Sequence, residues 1–180
     1  IQWISYLAVK YGVTLAQTDY LDSRRNVIWD YTHYPDYSTT IAGLGRDDSV
    51  GLNQKQTYYA DGQIIIGMVG ANNYSPLHSG NNEDNPAFIA DGDFIVFGMD
   101  GGLSAVSEIY TQSGETYEVI GRSMAQVTGG AHTYNTFVLL DTAAVQDSIA
   151  PVLLIDRSGT GEFPVGETEQ ILCAGTDSAG

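Results

Sequence analysis

The stretch Ile41–Thr57, IAGLGRDDSVGLNQKQT, has an unusual order of residues. Its first residues alternate small and apolar types, which is typical of a strand. Gly43 and Gly45 leave two positions on one strand face without side chains, which indicates that another backbone passes close by. A Ser-Val-Gly turn then leads to the amide-rich residues that end the stretch. The pattern predicts a strand, an acidic turn and a second strand.

The acidic turn contains Arg46, Asp47 and Asp48, and Lys55 follows in the second strand. A guanidinium binds one carboxylate with two N–H groups, and an ammonium group can bind the other carboxylate. Adjacent strand residues point to opposite faces, so Asp47 and Asp48 are a poor pair of glycosidase carboxylates. Nearby positive charge also lowers carboxyl pKa values, which favours salt bridges over acid catalysis. We therefore predict that these four residues form a structural clasp.

The segment GLGRDDSVGLNQKQT resembles the G-I-G-R-D-D-x-S-G-L-x-Q-K-Q-S signature of a domain found in large secreted and cell-surface proteins of Bacteroidota. Four more segments resemble that family in order: YLAVKYGVTL, YLDSRRNVIWD, DFIVFGMDGG and VLLIDRSGTGEF. Those proteins often leave the cell by type IX secretion and carry adhesin-like or lectin-like modules. The resemblance implies an extracellular or cell-surface location and assigns no catalytic residues.

The length of 180 residues predicts one domain over residues 1–174, with residues 175–180 as a linker or cut end. The net charge of −15 disfavours binding to nucleic acid and to anionic membranes, and it favours divalent cations. No apolar run is long enough to cross a membrane, so we expect no membrane insertion. Cys173 is the only cysteine, which leaves two alternatives: a buried apolar residue, or pairing with another chain.

Helical spacing of apolar residues over Ile1–Tyr11, followed by Gly12 as a cap, predicts one amphipathic helix. Its apolar face, expected to dock on a sheet, comprises Ile1, Ile4, Leu7, Ala8 and Tyr11. Short apolar segments separated by Gly and Asp turns predict strands after it. The strands are expected within residues 20–31, 41–57, 63–69, 87–97, 117–127, 134–140, 152–155 and 169–174. The expected fold is all-β, an antiparallel β-sandwich of jelly-roll or Ig-like type, with the helix of residues 1–12 docked on it.

Tyr31, His33, Tyr34 and Tyr37 lie close together around Pro35, which predicts an aromatic loop. Sugar rings stack on aromatic faces while neighbouring polar groups bind the hydroxyls, so this loop is a candidate glycan-binding surface. The alternative is that the rings cap the sandwich core or pack against a neighbouring module of the same polypeptide.

Two acidic segments are candidates for cation binding. Asp156, Ser158, Thr160 and Glu162 place an oxygen at every second position after a strand, a spacing that can wrap Ca²⁺. The alternative is a solvated turn, since Ser and Thr replace the family's carboxylates. Asp91 and Asp93 form a second acidic cluster, for which a surface loop is the simpler interpretation.

The three histidines show no metal-ligand spacing and no order of triad partners, so we predict no catalytic residues and a solvent-facing His132. We therefore expect a non-catalytic extracellular module for adhesion, spacing or assembly, with neighbouring modules or surface glycans as partners. One alternative is a glycan hydrolase or lyase with its site in the long loop Gly70–Pro86. The other is a self-assembling filament or surface-layer subunit.

Overall fold

The computed structural model describes residues 2–57, 64–69, 85, 87–102, 106–112, 115–120, 124–140, 152–156 and 168–172. Contacts between Cα atoms divide the chain into two compact units. Unit 1 contains Ile1–Leu103 and Arg122–Asp141, and unit 2 contains Ser104–Gly121 and Thr142–Gly180. The prediction of a single domain over residues 1–174 stays a prediction.

The described residues form one α-helix, a short 3₁₀ helix at Pro35–Tyr37, and twelve strands in antiparallel pairs. The all-β prediction with one N-terminal helix is therefore confirmed. In chain order the elements are α1 (Gln2–Tyr11), β1 (Tyr20–Leu21), β2 (Val27–Trp29), β3 (Thr40–Asp47), β4 (Leu52–Gln54), β5 (Ile64–Met68), β6 (Phe94–Met99), β7 (Val106–Gln112), β8 (Glu115–Ile120), β9 (Met124–Gly129), β10 (Thr136–Leu140), β11 (Val152–Asp156) and β12 (Thr168–Leu172).

The main sheet of unit 1 has the strand order β4-β3-β6-β9, and β5 pairs with β10 in a second sheet. The residues after β4 join the two sheets, because they pair with β5 instead of β3. Thr57 N donates to Ile66 O at 2.7 Å, and Met68 N donates to Lys55 O at 2.8 Å. A strand that changes sheets in this way forms the corner of a sandwich.

The main sheet is buried on both faces, since alternate residues of its central strands enter two separate cores. Leu44 and Phe97 point towards the β5–β10 sheet, and Ile41 and Val96 point towards α1. Side chains of successive strand residues alternate between faces, which produces this division. The first core comprises Ala42, Leu44, Ile66, Met68, Ala87, Ile89, Ile95, Phe97 and Met99. The second comprises Ala8, Val9, Tyr20, Ile28, Trp29, Ile41, Leu52, Phe94 and Val96.

The glycines of β3 are covered mainly by side chains. A Cβ atom on Gly43 would lie 3.3 Å from Val9 Cγ1 and 3.3 Å from the carbonyl oxygen of Ile95. A Cβ atom on Gly45 would overlap the ring of Phe94. The predicted close approach at these positions is therefore present, but it comes from the docked helix and an aromatic ring as well as from backbone.

Of the predicted docking residues whose side chains the structure describes, only Ala8 is buried. Ser5, Ala8 and Val9 are buried, whereas Ile4, Leu7 and Tyr11 are 51%, 46% and 61% exposed. The small residues let α1 approach the sheet closely enough for Val9 to fill the space above Gly43. Gly12 ends the helix at φ +62° as predicted, and Val13 N donates back to Ala8 O at 3.1 Å.

Unit 2 contains two described hairpins, β7–β8 and β11–β12. The strand predicted over residues 117–127 is in fact two strands, β8 and β9, which belong to different units. A run of alternating residues does not show by itself where a chain leaves one sheet for another.

Candidate functional site

Three loops of unit 1 meet at one end of the main sheet. The register pairs Gly45 of β3 with Phe94 of β6, and Phe94 with Gly129 of β9. Because neighbouring strands are antiparallel, the end of β3, the start of β6 and the end of β9 lie side by side. The turn after β3, the turn before β6 and the loop 130–135 therefore come together here.

Asp93 connects the turn before β6 to the loop after β9. Its side chain is 5% exposed and accepts three hydrogen bonds. Oδ1 accepts from Ala131 N at 3.1 Å, and Oδ2 contacts Tyr134 Oη at 2.6 Å and His132 Nδ1 at 2.7 Å. Gly130 has φ +108°, and a Cβ atom there would overlap the Asp93 carboxylate. The glycine therefore lets the loop reach the carboxylate.

The hydrogen bonds determine the ionisation of this group. Burial acts to raise the pKa of Asp93, but the bonds from Tyr134, His132 and Ala131 N together lower it below the ordinary value. Burial also raises the pKa of Tyr134, and its bond to Asp93 raises it further. Asp93 is consequently a carboxylate and Tyr134 a neutral donor at neutral pH.

The pair of His132 and Asp93 has the geometry of an oriented imidazole. The carboxylate holds Nδ1, the His132 side chain is 59% exposed, and Nε2 has no partner among the described residues. Histidines that act as general bases or as metal ligands commonly have one ring nitrogen hydrogen-bonded to a carboxylate in this way. No group of three or more His, Cys, Asp or Glu side chains in the described part of the chain is placed to hold a metal ion.

Arg46, the first residue of the predicted clasp, pairs with one of the two neighbouring carboxylates. Arg46 Nε and Nη2 bind the two oxygens of Asp48 at 2.7 and 3.0 Å. The Arg46 guanidinium lowers the pKa of Asp48, as predicted. Asp91 connects this turn to the hairpin β1–β2, since it accepts from Asp48 N at 2.8 Å and from Arg24 Nη2 at 2.7 Å.

Asp47 and Lys55, the other two clasp residues, bind backbone. Asp47 is 4% exposed and accepts from Ser23 N at 2.8 Å and Ser49 N at 3.2 Å. Lys55 Nζ donates to the carbonyl oxygen of Asn85 at 2.9 Å. Burial lowers the pKa of Lys55, and the positive charge of Arg46 lowers it further. Asp47 is buried at the end of β3, and Asp48 is exposed in the turn that follows.

The aromatic loop lies near the opposite end of the same strands. The rings of Tyr34 and Tyr37 pack against the core beneath α1, so the core-capping alternative holds for these two residues. Tyr34 also contacts the ring of Trp29 with centroids 5.1 Å apart. His33 is exposed and meets Tyr34 edge-on at 4.5 Å, and Tyr31 is half-buried.

The loop is held by bonds between side chains and backbone. Asp30 Oδ1 accepts from Thr32 N at 2.9 Å, Thr32 Oγ1 at 2.7 Å and His33 N at 3.1 Å. These bonds, that of the Thr32 hydroxyl first, lower the pKa of Asp30. Asp19 accepts from Tyr31 N at 2.9 Å, and Ser38 Oγ donates to Tyr34 O at 2.8 Å.

Several predicted sites lie wholly or partly outside the described residues. For the calcium loop, the structure places Asp156 at the end of β11, and Ser158, Thr160 and Glu162 lie outside. The loop Gly70–Pro86 lies outside except for Asn85, and Cys173 lies outside. The Asp91–Asp93 cluster is corrected: Asp91 is at the surface, but Asp93 is buried.

Sequence reasoning missed the connection of Asp93 to His132 and Tyr134. The residues are 39 and 41 positions apart, and they meet only because β6 and β9 are neighbours. The available signals were an Asp-Gly-Asp turn before one apolar strand and a Gly-Gly-Ala-His loop after another.

A family model described as Domain of unknown function (DUF8202) matches residues 2–179. No curated protein and no solved structure matches the chain. No helix in the described part of the chain is long and apolar enough to cross a membrane.

Proposed function

The chain belongs to the DUF8202 family of domains, and we propose that it is a non-catalytic extracellular module of a larger surface or secreted protein. Its role is adhesion, spacing or assembly, and its aromatic loop binds surface glycans. The resemblance of GLGRDDSVGLNQKQT to modules of Bacteroidota surface proteins supports the location. The acidic charge of −15 is compatible with it.

The observation that carries the binding role is the fixed conformation of the aromatic loop. Asp30 and Asp19 bind the backbone N–H groups of Tyr31, Thr32 and His33, and Ser38 binds the carbonyl of Tyr34. A surface held in one conformation before binding loses little conformational entropy when a ligand arrives. Tyr31 and His33 are the loop rings outside the core cluster, so they are the residues to which we assign the ligand.

The non-catalytic character is supported by the state of three carboxyl groups. Asp30, Asp48 and Asp93 all accept strong hydrogen bonds, and the pKa of each is lowered. A general acid needs a pKa near the working pH, and these groups are shifted in the opposite direction. They stabilise turns and loops.

Binding to a glycan array tests the proposal, and calorimetry then measures the affinity of the chain for each glycan that it retains. Tyr31→Ala and His33→Ala each keep the backbone N–H that binds Asp19 or Asp30. We expect each to weaken binding by about 2- to 12-fold, since stacking on an aromatic ring contributes about 0.5–1.5 kcal/mol. Tyr11→Ala removes a tyrosine that is 61% exposed on α1 and should leave binding unchanged. Equal loss in all three variants, or no bound glycan, contradicts the proposal.

The second candidate is an enzyme, and the observation that favours it is the oriented imidazole of His132. A general base of this kind would remove a proton from water or from a substrate hydroxyl. Release of reducing ends or unsaturated products from polysaccharides is the appropriate assay. Turnover that disappears in His132→Ala and persists in His33→Ala would establish this candidate in place of the first.

A further inference from the structure

Two carboxylates lie beside the rings of the aromatic loop to which we assign the glycan. Asp19 Oδ1 accepts from Tyr31 N at 2.9 Å, and Asp30 Oδ1 accepts from Thr32 N at 2.9 Å and His33 N at 3.1 Å. Three successive backbone N–H groups are therefore held by two acidic side chains. A ligand that stacks on either ring meets these carboxylates.

Each of the two carboxylates uses only one of its oxygens within the chain. Oδ2 of Asp19 and Oδ2 of Asp30 accept no hydrogen bond from the described residues, and both side chains are only half-buried. The bonds to Oδ1, that of the Thr32 hydroxyl first, lower the pKa of Asp30, so it is ionised at neutral pH. Asp36 adds a third carboxylate in the 3₁₀ helix, exposed and without a hydrogen bond to the described residues. The loop thus presents several acceptors to a ligand.

Little positive charge accompanies these acceptors. Residues 31–45 contain no lysine and no arginine. The two arginines of the β1–β2 hairpin lie in its turn, at the other end of both strands from the aromatic loop. Lys10 ends α1, where its Nζ donates to the Tyr6 hydroxyl at 3.0 Å. An anionic ligand would therefore meet the repulsion of the loop and of a chain with a net charge of −15.

We propose that the aromatic loop binds glycans that carry no acidic groups and excludes uronic-acid and sulfated glycans. The inference rests on the glycan-binding role proposed above. The hydroxyl groups of an uncharged sugar donate to the open oxygens of Asp19 and Asp30. A uronate or sulfate group can only accept, so it leaves those oxygens without a donor and adds repulsion.

A matched pair of ligands tests this selectivity. Calorimetry compares oligomers of glucose, mannose and galactose with oligomers of the corresponding uronic acids, which differ by a carboxylate in place of the 6-hydroxymethyl group. We expect the uronic-acid oligomer to bind at least about tenfold more weakly at low NaCl. The ratio should shrink at high NaCl, because salt screens repulsion between exposed charges. Equal affinities, or a ratio that salt does not change, overturn the inference.

The glycan array separates the two proposals. Retention of acidic glycans in preference to neutral ones overturns the selectivity and leaves the glycan-binding role standing. Retention of no glycan of either class refutes the glycan-binding role itself, and the selectivity with it. Retention of neutral glycans alone is the result that both proposals expect.

One substitution measures the contribution of charge within the loop. Asp36→Asn takes the net charge from −15 to −14 and breaks no hydrogen bond with the described residues. We expect the ratio of the two affinities to fall about threefold at low NaCl, the effect of one unit charge several ångströms away in water. Asp91→Asn is the matched control, because it makes the same charge change at an exposed position near the opposite end of the main sheet. The control should keep the ratio of the unmodified chain. Equal changes in the two variants would show that only the overall charge acts, and would overturn the assignment to the loop.

Discussion

Replacement of Asp93 by alanine removes the acceptor that joins the loop after β9 to the turn before β6. Ala131 N and the Tyr134 hydroxyl lose a carboxylate partner, and so does His132 Nδ1. His132 is exposed enough to bond to water instead, so its contribution is small. Tyr134 is half-buried, and its hydroxyl also accepts a hydrogen bond from Ala90 N at 2.9 Å. Water therefore cannot easily replace Asp93 as the acceptor for this hydroxyl.

The expected loss of stability follows from the two hydrogen bonds that Ala131 N and the Tyr134 hydroxyl donate to the charged carboxylate. Each contributes about 1.5–3 kcal/mol, and part of the sum is returned because the carboxylate no longer has to be desolvated. We expect Asp93→Ala to lower the free energy of unfolding by about 3 kcal/mol. For a chain of this size that corresponds to a fall of about 6–12 °C in Tm.

Urea denaturation followed by fluorescence and circular dichroism measures the change. Asp91→Ala is the control, because the Asp91 carboxylate lies two positions away and its bonds to Arg24 and to Asp48 N are both solvent-exposed. Exposed ion pairs contribute little to stability, so the control should lose much less. Equal losses of stability in the two variants, or no loss in Asp93→Ala, would refute the assignment of Asp93 as the connection between the loops.

The same comparison has a defined pH dependence. The pKa of Asp93 is lowered from 3.8 in the folded chain, so its stabilisation is fully present above pH 3.8. It declines as pH falls through the lower folded value, because the unfolded chain then binds the proton more readily. The difference between the unmodified chain and Asp93→Ala should therefore be constant near neutral pH and shrink in acid. A difference that grows in acid contradicts the argument.

Gly98→Ala should destabilise the fold by about 3 kcal/mol in urea denaturation, because its Cβ would overlap the carbonyl of Tyr37 and the ring of Trp29. A Cβ atom at Gly129 would have no atom within 4 Å, so Gly129→Ala should leave the stability unchanged. Similar losses of stability in both variants would contradict the close packing around Gly98. Val9→Ala should lower the free energy of unfolding by about 2 kcal/mol, because it removes two buried methyl groups. Leu7→Ala should lower it much less, because Leu7 is 46% exposed. If thermal melts gave the reverse order, Leu7 would belong to the docking face, as the apolar spacing predicted. Millimolar Ca²⁺ should raise Tm beyond a salt-matched NaCl control, and Asp156→Ala should remove most of that extra increase. Identical melting curves in Ca²⁺, EDTA and NaCl would show that residues 156–162 do not bind calcium.

Local patterns predicted the local features of this fold well. The alternation in β3, the apolar run of β5 and the glycine cap at Gly12 all involve neighbours within a few residues. The bidentate pair of Arg46 and Asp48 is also local, since the residues are two positions apart. In each case geometry that the backbone imposes on nearby residues was sufficient.

Features that depend on tertiary packing were not accessible in the same way. The apolar spacing of α1 indicated a docking face that combined large residues such as Ile4 and Leu7 with Ala8. The glycines of β3 instead leave room for small residues, and the buried ones are Ser5, Ala8 and Val9. The contact of Asp93 with His132 depends on β9 lying beside β6. That neighbourhood follows from sheet order, which residue alternation does not specify.

The most direct test of the central claim measures glycan retention and glycan turnover in the same sample. The account predicts that a polysaccharide retained by the chain is recovered intact, that retention falls in Tyr31→Ala, and that it is unchanged in His132→Ala. Cleavage of the retained glycan that disappears in His132→Ala would contradict the account and identify the domain as an enzyme.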